Sequence, residues 1–331
     1  MSARLCGHLT PGNASRPSSQ SWQACVLRAM FAAIGTRNRH FVEVGFNEPR
    51  QCTGSGSNTC VLWRDEGWQG LLLDGANSNA SINLHKELVY SHNIVALLEK
   101  YGVPKHLDYV SIDVDSTDIW LVEALLRSSY RPRIISAEFN PNYPFDVAVT
   151  FPDHTQFAPA AQRTSTDERL QFDGVAHHGC YYGASMRAFD LMARAHGYAL
   201  VAVVWPLDVF LAPAHLAPRL TAALESAHLG NFAFNNSVQM RHARRGWPLN
   251  AYRPQQRLTW AQARELLDWE VWQQEVQKGR SVGWAANEAR RAAQPQLERL
   301  AATASAREGT CFRALARRPQ SKNPTTTDST A

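Results

Sequence analysis

The chain has 331 residues, 44% of them hydrophobic and 10% aromatic, which is enough apolar material for one large core and excludes a disordered polymer. The net charge of +5 is unevenly spread: residues 217–331 hold 17 Lys/Arg against 9 Asp/Glu, and residues 1–216 hold 17 against 20. The basic excess therefore belongs to the C-terminal part, where a solvated face is its default meaning, so no nucleic-acid partner is expected; no run of 18 apolar residues predicts a membrane span.

Residues 1–19, with Pro11, Gly12, Pro17 and paired serines, read as disordered. Ser21 can cap a helix over residues 22–34 that Gly35 ends, with Trp22, Cys25, Val26, Met30, Ala33 and Ile34 on one broad apolar face. Residues 41–44 form a first apolar strand that leads into Gly45, Phe46 and Asn47. A polar loop over 48–57, a helix over 58–66 and a second strand over 70–74 follow, the strand ending in Asp74 and Gly75. Residues 82–89 read as a third strand, and 93–101 as a helix stopped by Gly102 and Pro104.

The central stretch is YVSIDVDSTD, residues 109–118. Its apolar run reads as a buried strand and ends in Asp113, Asp115 and Asp118. Carboxylates are costly to bury, so an acidic cluster where a core strand emerges suggests a site. The competing reading makes Asp115 and Asp118 caps of the following helix, residues 119–126. A fifth strand over 133–138 leads into Phe139 and Asn140. Four strands thus end near an acid, at Glu43, Asp74, Asp113 and Glu138. Strands alternating with helices indicate a parallel α/β sheet, and such sheets place ligands at the carboxyl ends of their strands.

Prolines 141, 144, 152 and 159 make residues 141–180 a loop-rich insertion, well placed to be a lid or substrate wall. It carries His154, His177 and His178, which can supply a general base but as loop histidines are more often merely solvated. Tyr182 can line a pocket or pack the next helix, residues 184–196. Strands over 198–204 and 208–211 are joined only by Trp205, Pro206 and Leu207, which permits an antiparallel hairpin and no parallel crossover. Beyond Pro218, a capping box at Thr259 and Gln262 opens a helix carrying Trp260, Leu267, Trp269, Trp272 and Val276 and ending at Gly279. A weaker helix covers 284–302, and a polar tail from Arg307 reads as disordered. The chain divides into a disordered start (1–19), an α/β domain (20–216), a helical basic extension (217–306) and a disordered end (307–331).

The six cysteines form no CxxC or zinc spacing. Cys52 and Cys60 can close a loop in an oxidising compartment, but free thiols are the expectation in a chain this large and poor in cysteine. The first 42 residues hold five arginines and no acid, which is compatible with an organelle transit peptide, although cytoplasmic residence is the expectation.

The segments FVEVGFN, GSGSNT, GWQGLLLDG, VPKHLDYVSIDVD, ISAEFN and YYGAS, in that order, resemble the FkbM-type branch of class I S-adenosyl-L-methionine-dependent methyltransferases, and within it a subgroup with an IDVDSTD-like segment and a YGAS box. The match runs from about Thr36 to Ala212, with Ser116 standing where the family pattern has glycine. The resemblance implies a Rossmann-like, seven-stranded sheet, parallel except for one strand and covered by helices on both faces. It also implies S-adenosyl-L-methionine as cofactor and methyl transfer as activity.

Read as chemistry, Gly45 lets the backbone approach a ligand, and Asp74 can accept from both ribose hydroxyls. Glu43 can meet the amino-acid moiety of the cofactor, with Asn47, Gly75 and Asp113 completing its site. Asp113, Asp115 and Glu138 are the candidates for catalysis, and Asn140, His177, His178 and Tyr182 for contact with a small-molecule or glycan acceptor. Methylation of an oxygen needs alignment and deprotonation of the acceptor and requires no metal. Two rival readings are a glycosyltransferase in which Asp113-x-Asp115 holds a divalent ion, and a non-catalytic module that keeps the fold.

Overall fold

The computed structural model describes residues 19, 21–46, 57–115, 117–153, 183–234 and 263–303. Asn47, Cys52, His154, His177, His178, Tyr182 and the Thr259/Gln262 box lie outside them, and so do both ends read as disordered, apart from Ser19.

The main sheet holds β1 (His40–Val44), β2 (Gln69–Asp74), β3 (Leu84–Lys86), β4 (Tyr109–Ile112), β5 (Ile134–Glu138), β7 (Tyr198–Val204) and β8 (Asp208–Pro213). Their order is β3-β2-β1-β4-β5-β8-β7, a mixed α/β arrangement of the doubly wound, Rossmann-like kind. Strands β1 to β5 pair in parallel, and β8 runs antiparallel to both β5 and β7, as the three-residue link requires. Chain direction switches between β1 and β4, so the crevice between their carboxyl ends is the natural ligand site.

Strand alternation sorts side chains onto two faces. Phe41, Tyr109, Ile134 and Phe210 pack with α1 (Gln23–Ile34), α2 (Cys60–Glu66) and α6 (Ala217–Ser226). Val42, Val110, Ile135 and Leu211 pack with α3 (Ile94–Lys100), α4 (Asp118–Arg127) and α5 (Met186–Ala195). Helix α1 ends at Gly35, whose φ of +69° suits a residue without a Cβ and whose amide donates to the Phe31 carbonyl at 2.8 Å. It is not capped by the Ser21 side chain: Ser19 Oγ accepts from the Ala24 amide at 3.3 Å, and Ser19 is buried. The packed region thus reaches back to a residue assigned by composition to a disordered start.

Three further differences have physical reasons. The third strand shrinks to β3, because a 3-10 turn at Ala80–Ile82 occupies its expected beginning. Helix α6 was not among the expected elements; its Pro218 sits in the first helical turn, where a missing N–H costs nothing. The helix expected from Thr259 is interrupted by β9 (Leu267–Asp268), which pairs antiparallel with β6 (Val149–Thr150) of the insertion. Asp268 then caps α7 (Trp269–Gln277) by accepting from the Val271 amide at 2.9 Å, and α8 (Val282–Thr303) follows.

The C-terminal extension packs onto the body of the fold. Trp269 and Trp272 lie edge-on to Trp120 of α4, with ring centroids 5.0 and 5.2 Å apart, and all three are buried. Ala293, Leu297 and Ala301 of α8 form a smaller core with Tyr143, Val147, Val149 and Phe151 of the insertion. Trp269 and Trp272 thus belong to a packing face, whereas Trp284 is exposed.

Cys25 and Cys60 are both disulfide-bonded, which corrects the expectation of free thiols. Among the described residues, no helix is long and apolar enough to cross a membrane.

Candidate functional site

The turn after β1 is stitched to both neighbouring strands. The Gly45 and Phe46 amides donate to the Leu73 carbonyl at 2.9 and 3.1 Å, and the Asp113 amide donates to the Val44 carbonyl at 3.0 Å. Gly45 has φ +91°, and a Cβ there would lie 1.7 Å from the Asp113 carbonyl oxygen. Glycine is therefore required at this position by the end of β4.

Glu43 does not face the crevice as expected. Its Oε1 accepts from the Asn58 amide at 2.8 Å; its Oε2 accepts from Ser57 Oγ at 2.8 Å, the Thr59 amide at 3.3 Å and Thr59 Oγ1. Both oxygens are engaged in holding the segment that leads into α2. Burial raises its proton affinity, and these hydrogen bonds oppose that shift.

Asp74, half-buried at the end of β2, accepts from the Ala76 and Asn77 amides at 2.9 and 2.5 Å through Oδ1 alone. Its Oδ2 takes no hydrogen bond among the described residues. It remains an available acceptor beside the crevice. Gly75 follows and is exposed.

Asp113, Asp115 and Glu138 converge, each offering a carboxylate oxygen within 4.8 Å of the other two. Asp113 and Glu138 are half-buried and Asp115 is exposed. Burial first, then the charge of Asp208, pushes the Asp113 carboxyl well above the usual range; burial first, then Asp113, does the same to Glu138. Asp118 plays a different part: it is buried in the first turn of α4 and accepts from the Val114 amide at 2.9 Å, closing the turn after β4. The helix takes no side-chain cap hydrogen bond from its N-cap residue, Thr117, and Asp118 binds back to the turn ahead of the helix, while Asp115 belongs to the cluster.

Asp208 is the participant that sequence reasoning missed. It lies opposite Glu138 in the antiparallel register of β5 and β8, is buried, and has its pKa pushed up to about 6 by burial. Asn58 Nδ2 donates both to Asp208 Oδ2 and to Ser111 Oγ, each at 3.1 Å. Ser111 Oγ also accepts from Ser136 Oγ at 3.2 Å, and Ser136 Oγ lies 2.7 Å from the Tyr109 hydroxyl. Glu43, Ser111 and Ser136 are register partners across β1, β4 and β5. They form a polar floor two residues before Gly45, Asp113 and Glu138 on the same sheet face. The only sequence signal for it was the alternation of apolar and polar residues along each strand.

Asn140 does not face an acceptor. It is fully buried, and its Oδ1 accepts from the Asn142 amide and Nδ2 at 3.0 and 2.9 Å. That side-chain oxygen serves the turn after β5.

No family model matches the chain, and a comparison with curated proteins finds no match.

Proposed function

We propose that the protein is an S-adenosyl-L-methionine-dependent methyltransferase of the class I type, acting on a hydroxyl of a small-molecule or glycan acceptor. One observation carries the reading: Gly45 and Asp113 meet at the switch point between β1 and β4, and the adjoining strand β2 ends in Asp74 with an acceptor oxygen to spare. A crevice with a glycine turn on one strand and a carboxylate on the next suits an adenosyl group, whose ribose hydroxyls donate to Asp74 Oδ2. The cofactor's sulfonium supplies an activated methyl group. The chain's own task is to align the acceptor and take its proton, and Asp113 and Glu138, with raised proton affinity, are suited to hold that proton.

Calorimetric titration with S-adenosyl-L-methionine tests this. Asp74→Asn leaves Oδ1 to its turn and removes the charged acceptor, so cofactor affinity should fall by about 1–3 kcal/mol, roughly 5- to 150-fold, with the fold intact. Unchanged affinity removes Asp74 from the site, and no binding by the wild type rejects the reading. Cofactor binding without methyl transfer to any acceptor in a lysate would identify a non-catalytic module.

The glycosyltransferase reading is favoured by one observation, the convergence of Asp113 and Asp115 within reach of a shared cation. Thermal stabilisation by Mn²⁺ with a nucleotide sugar, and none by S-adenosyl-L-methionine, would select it.

A further inference from the structure

The acidic cluster has features that proton sharing alone does not explain. Glu138 Oε2 is sealed from solvent and receives no hydrogen bond, although its oxygen atoms lie among those of Asp113 and Asp115. A buried carboxylate oxygen without a donor is costly, and such atoms are found where a ligand completes them. Among the described residues, none of the ion pairs involves Asp113, Asp115, Glu138 or Asp208, so no Lys or Arg balances them. Two buried acids elsewhere do have guanidinium partners: Asp108 takes that of Arg133 at 3.1 Å, and Asp190 is flanked by Arg187 and Arg194.

The geometry points to a divalent cation held between Asp113, Asp115 and Glu138. Hard cations take oxygen ligands at about 2.0–2.6 Å, so oxygens on one ion lie roughly 3–5 Å apart. The separation of up to 4.8 Å fits that range without rearrangement of the strands. A set made only of carboxylates, with neither Cys nor His, selects Mg²⁺, Mn²⁺ or Ca²⁺ over zinc or copper. Asp113 and Asp115 lie in the turn that follows β4 and Glu138 ends β5, so the ion would join the ends of two central strands. Three carboxylates do not fill the coordination sphere of such an ion, which leaves positions for water and for an acceptor oxygen. Resting on the methyltransferase reading, the consequence concerns the acceptor: it carries two neighbouring oxygens, one of them the hydroxyl to be methylated, that chelate the ion together. A bound cation also lowers the pKa of that hydroxyl.

The experiment uses the full chain and Mn²⁺ alone, with binding read by calorimetry and by loss of the free-ion signal in electron paramagnetic resonance. The wild type is expected to take a single Mn²⁺ per chain saturably, in competition with Mg²⁺. Glu138→Gln and Asp115→Asn should each weaken it by about tenfold or more, since even residues that only support a metal ligand cost that much. Asp115 is exposed, so Asp115→Asn remains informative if Glu138→Gln fails to fold, which circular dichroism would reveal. No saturable Mn²⁺ binding at millimolar concentration overturns the inference, as does wild-type affinity in Asp115→Asn. A parallel titration with S-adenosyl-L-methionine separates the two readings. Mn²⁺ binding without cofactor binding sinks the methyltransferase and leaves the cation site standing; the reverse sinks the cation site alone.

Discussion

Gly45 and Asp113 are in backbone contact: the space that a Cβ on Gly45 would need is filled by the Asp113 carbonyl oxygen, 1.7 Å from the ideal position. The glycine thus serves the junction of β1 and β4 before it serves any ligand. Substitution is disfavoured twice, by the φ of +91° and by an obstacle that is main chain and cannot rotate away. Gly45→Ala should destabilise the fold by about 3 kcal/mol or more, since it combines a strained backbone with overpacking at the sheet centre. Chemical denaturation checks this, and a loss below about 1 kcal/mol would mean that the two strands part without cost.

The C-terminal extension should be inseparable from the α/β body. Trp269 and Trp272 bury their rings against Trp120, and Trp120 Nε1 donates to the Phe151 carbonyl at 2.9 Å. Extension, central helix and insertion therefore share one contact. Trp269→Ala should cost about 3–5 kcal/mol, the usual range for emptying a buried tryptophan site. A single cooperative transition is expected in wild type and variant alike. Two transitions, with only the second unchanged by the mutation, would make the extension a separate folding unit.

What the sequence disclosed, and what it hid, follows from length and periodicity. Strands β1, β4 and β5 were legible because each is a continuous apolar run bounded by helix-forming segments, and their carboxyl ends carry the acids that converge. The hairpin of β7 and β8 was legible from its short link. The two-residue strands β6 and β9 are too short to show a period of two, and they pair across more than a hundred residues. Asp208 escaped notice because its neighbour Glu138 is set by antiparallel register, which no local pattern reports. Glu43 near the end of β1 and Asn140 just beyond β5 show a related effect: their side-chain oxygens serve Ser57, Asn58 and Thr59 in one case and Asn142 in the other. Position at a strand end marks a candidate; the competition of nearby donors decides it.

A buried acid away from the cluster should make stability depend on pH. Glu123 on α4 has its pKa raised to about 7 by burial, partly offset by Arg127 and reinforced by Asp153. Unfolded, it would titrate near the ordinary value of 4.5. Between these values the folded chain holds a proton that the unfolded chain has released, so stability falls as pH rises through the window, and the full penalty is present above about 7. Glu123→Gln cannot ionise and should be more stable than wild type at pH 8 by about 3 kcal/mol, while the two should nearly agree at and below pH 4.5. Equal denaturation midpoints at pH 8 would show that Glu123 ionises without cost.

The final prediction separates binding from chemistry at the carboxyl cluster. Asp113 has no side-chain hydrogen bond among the described residues, while burial and the charges of Asp208, Asp118 and Asp115 raise its proton affinity. Where no cation occupies the cluster, such a group can take the acceptor's proton, attract the sulfonium, or merely help to shape the turn; with one bound, it is a ligand and not a base. Asp113→Asn keeps the shape and removes charge and basicity. If Asp113 or the proton it shares with Glu138 serves as base, the variant should bind S-adenosyl-L-methionine within a few-fold of wild type. Its methyl transfer should fall by about 10²–10⁴-fold, the usual range for general-base catalysis. The wild-type rate should rise with pH through the raised pKa of the pair, because the base works only when deprotonated, and Asp113→Asn should flatten that limb. Parallel loss of cofactor binding would assign Asp113 to the sulfonium, and undiminished turnover would leave it a structural residue. The acceptor needed for this assay comes from methylation of a lysate with labelled cofactor.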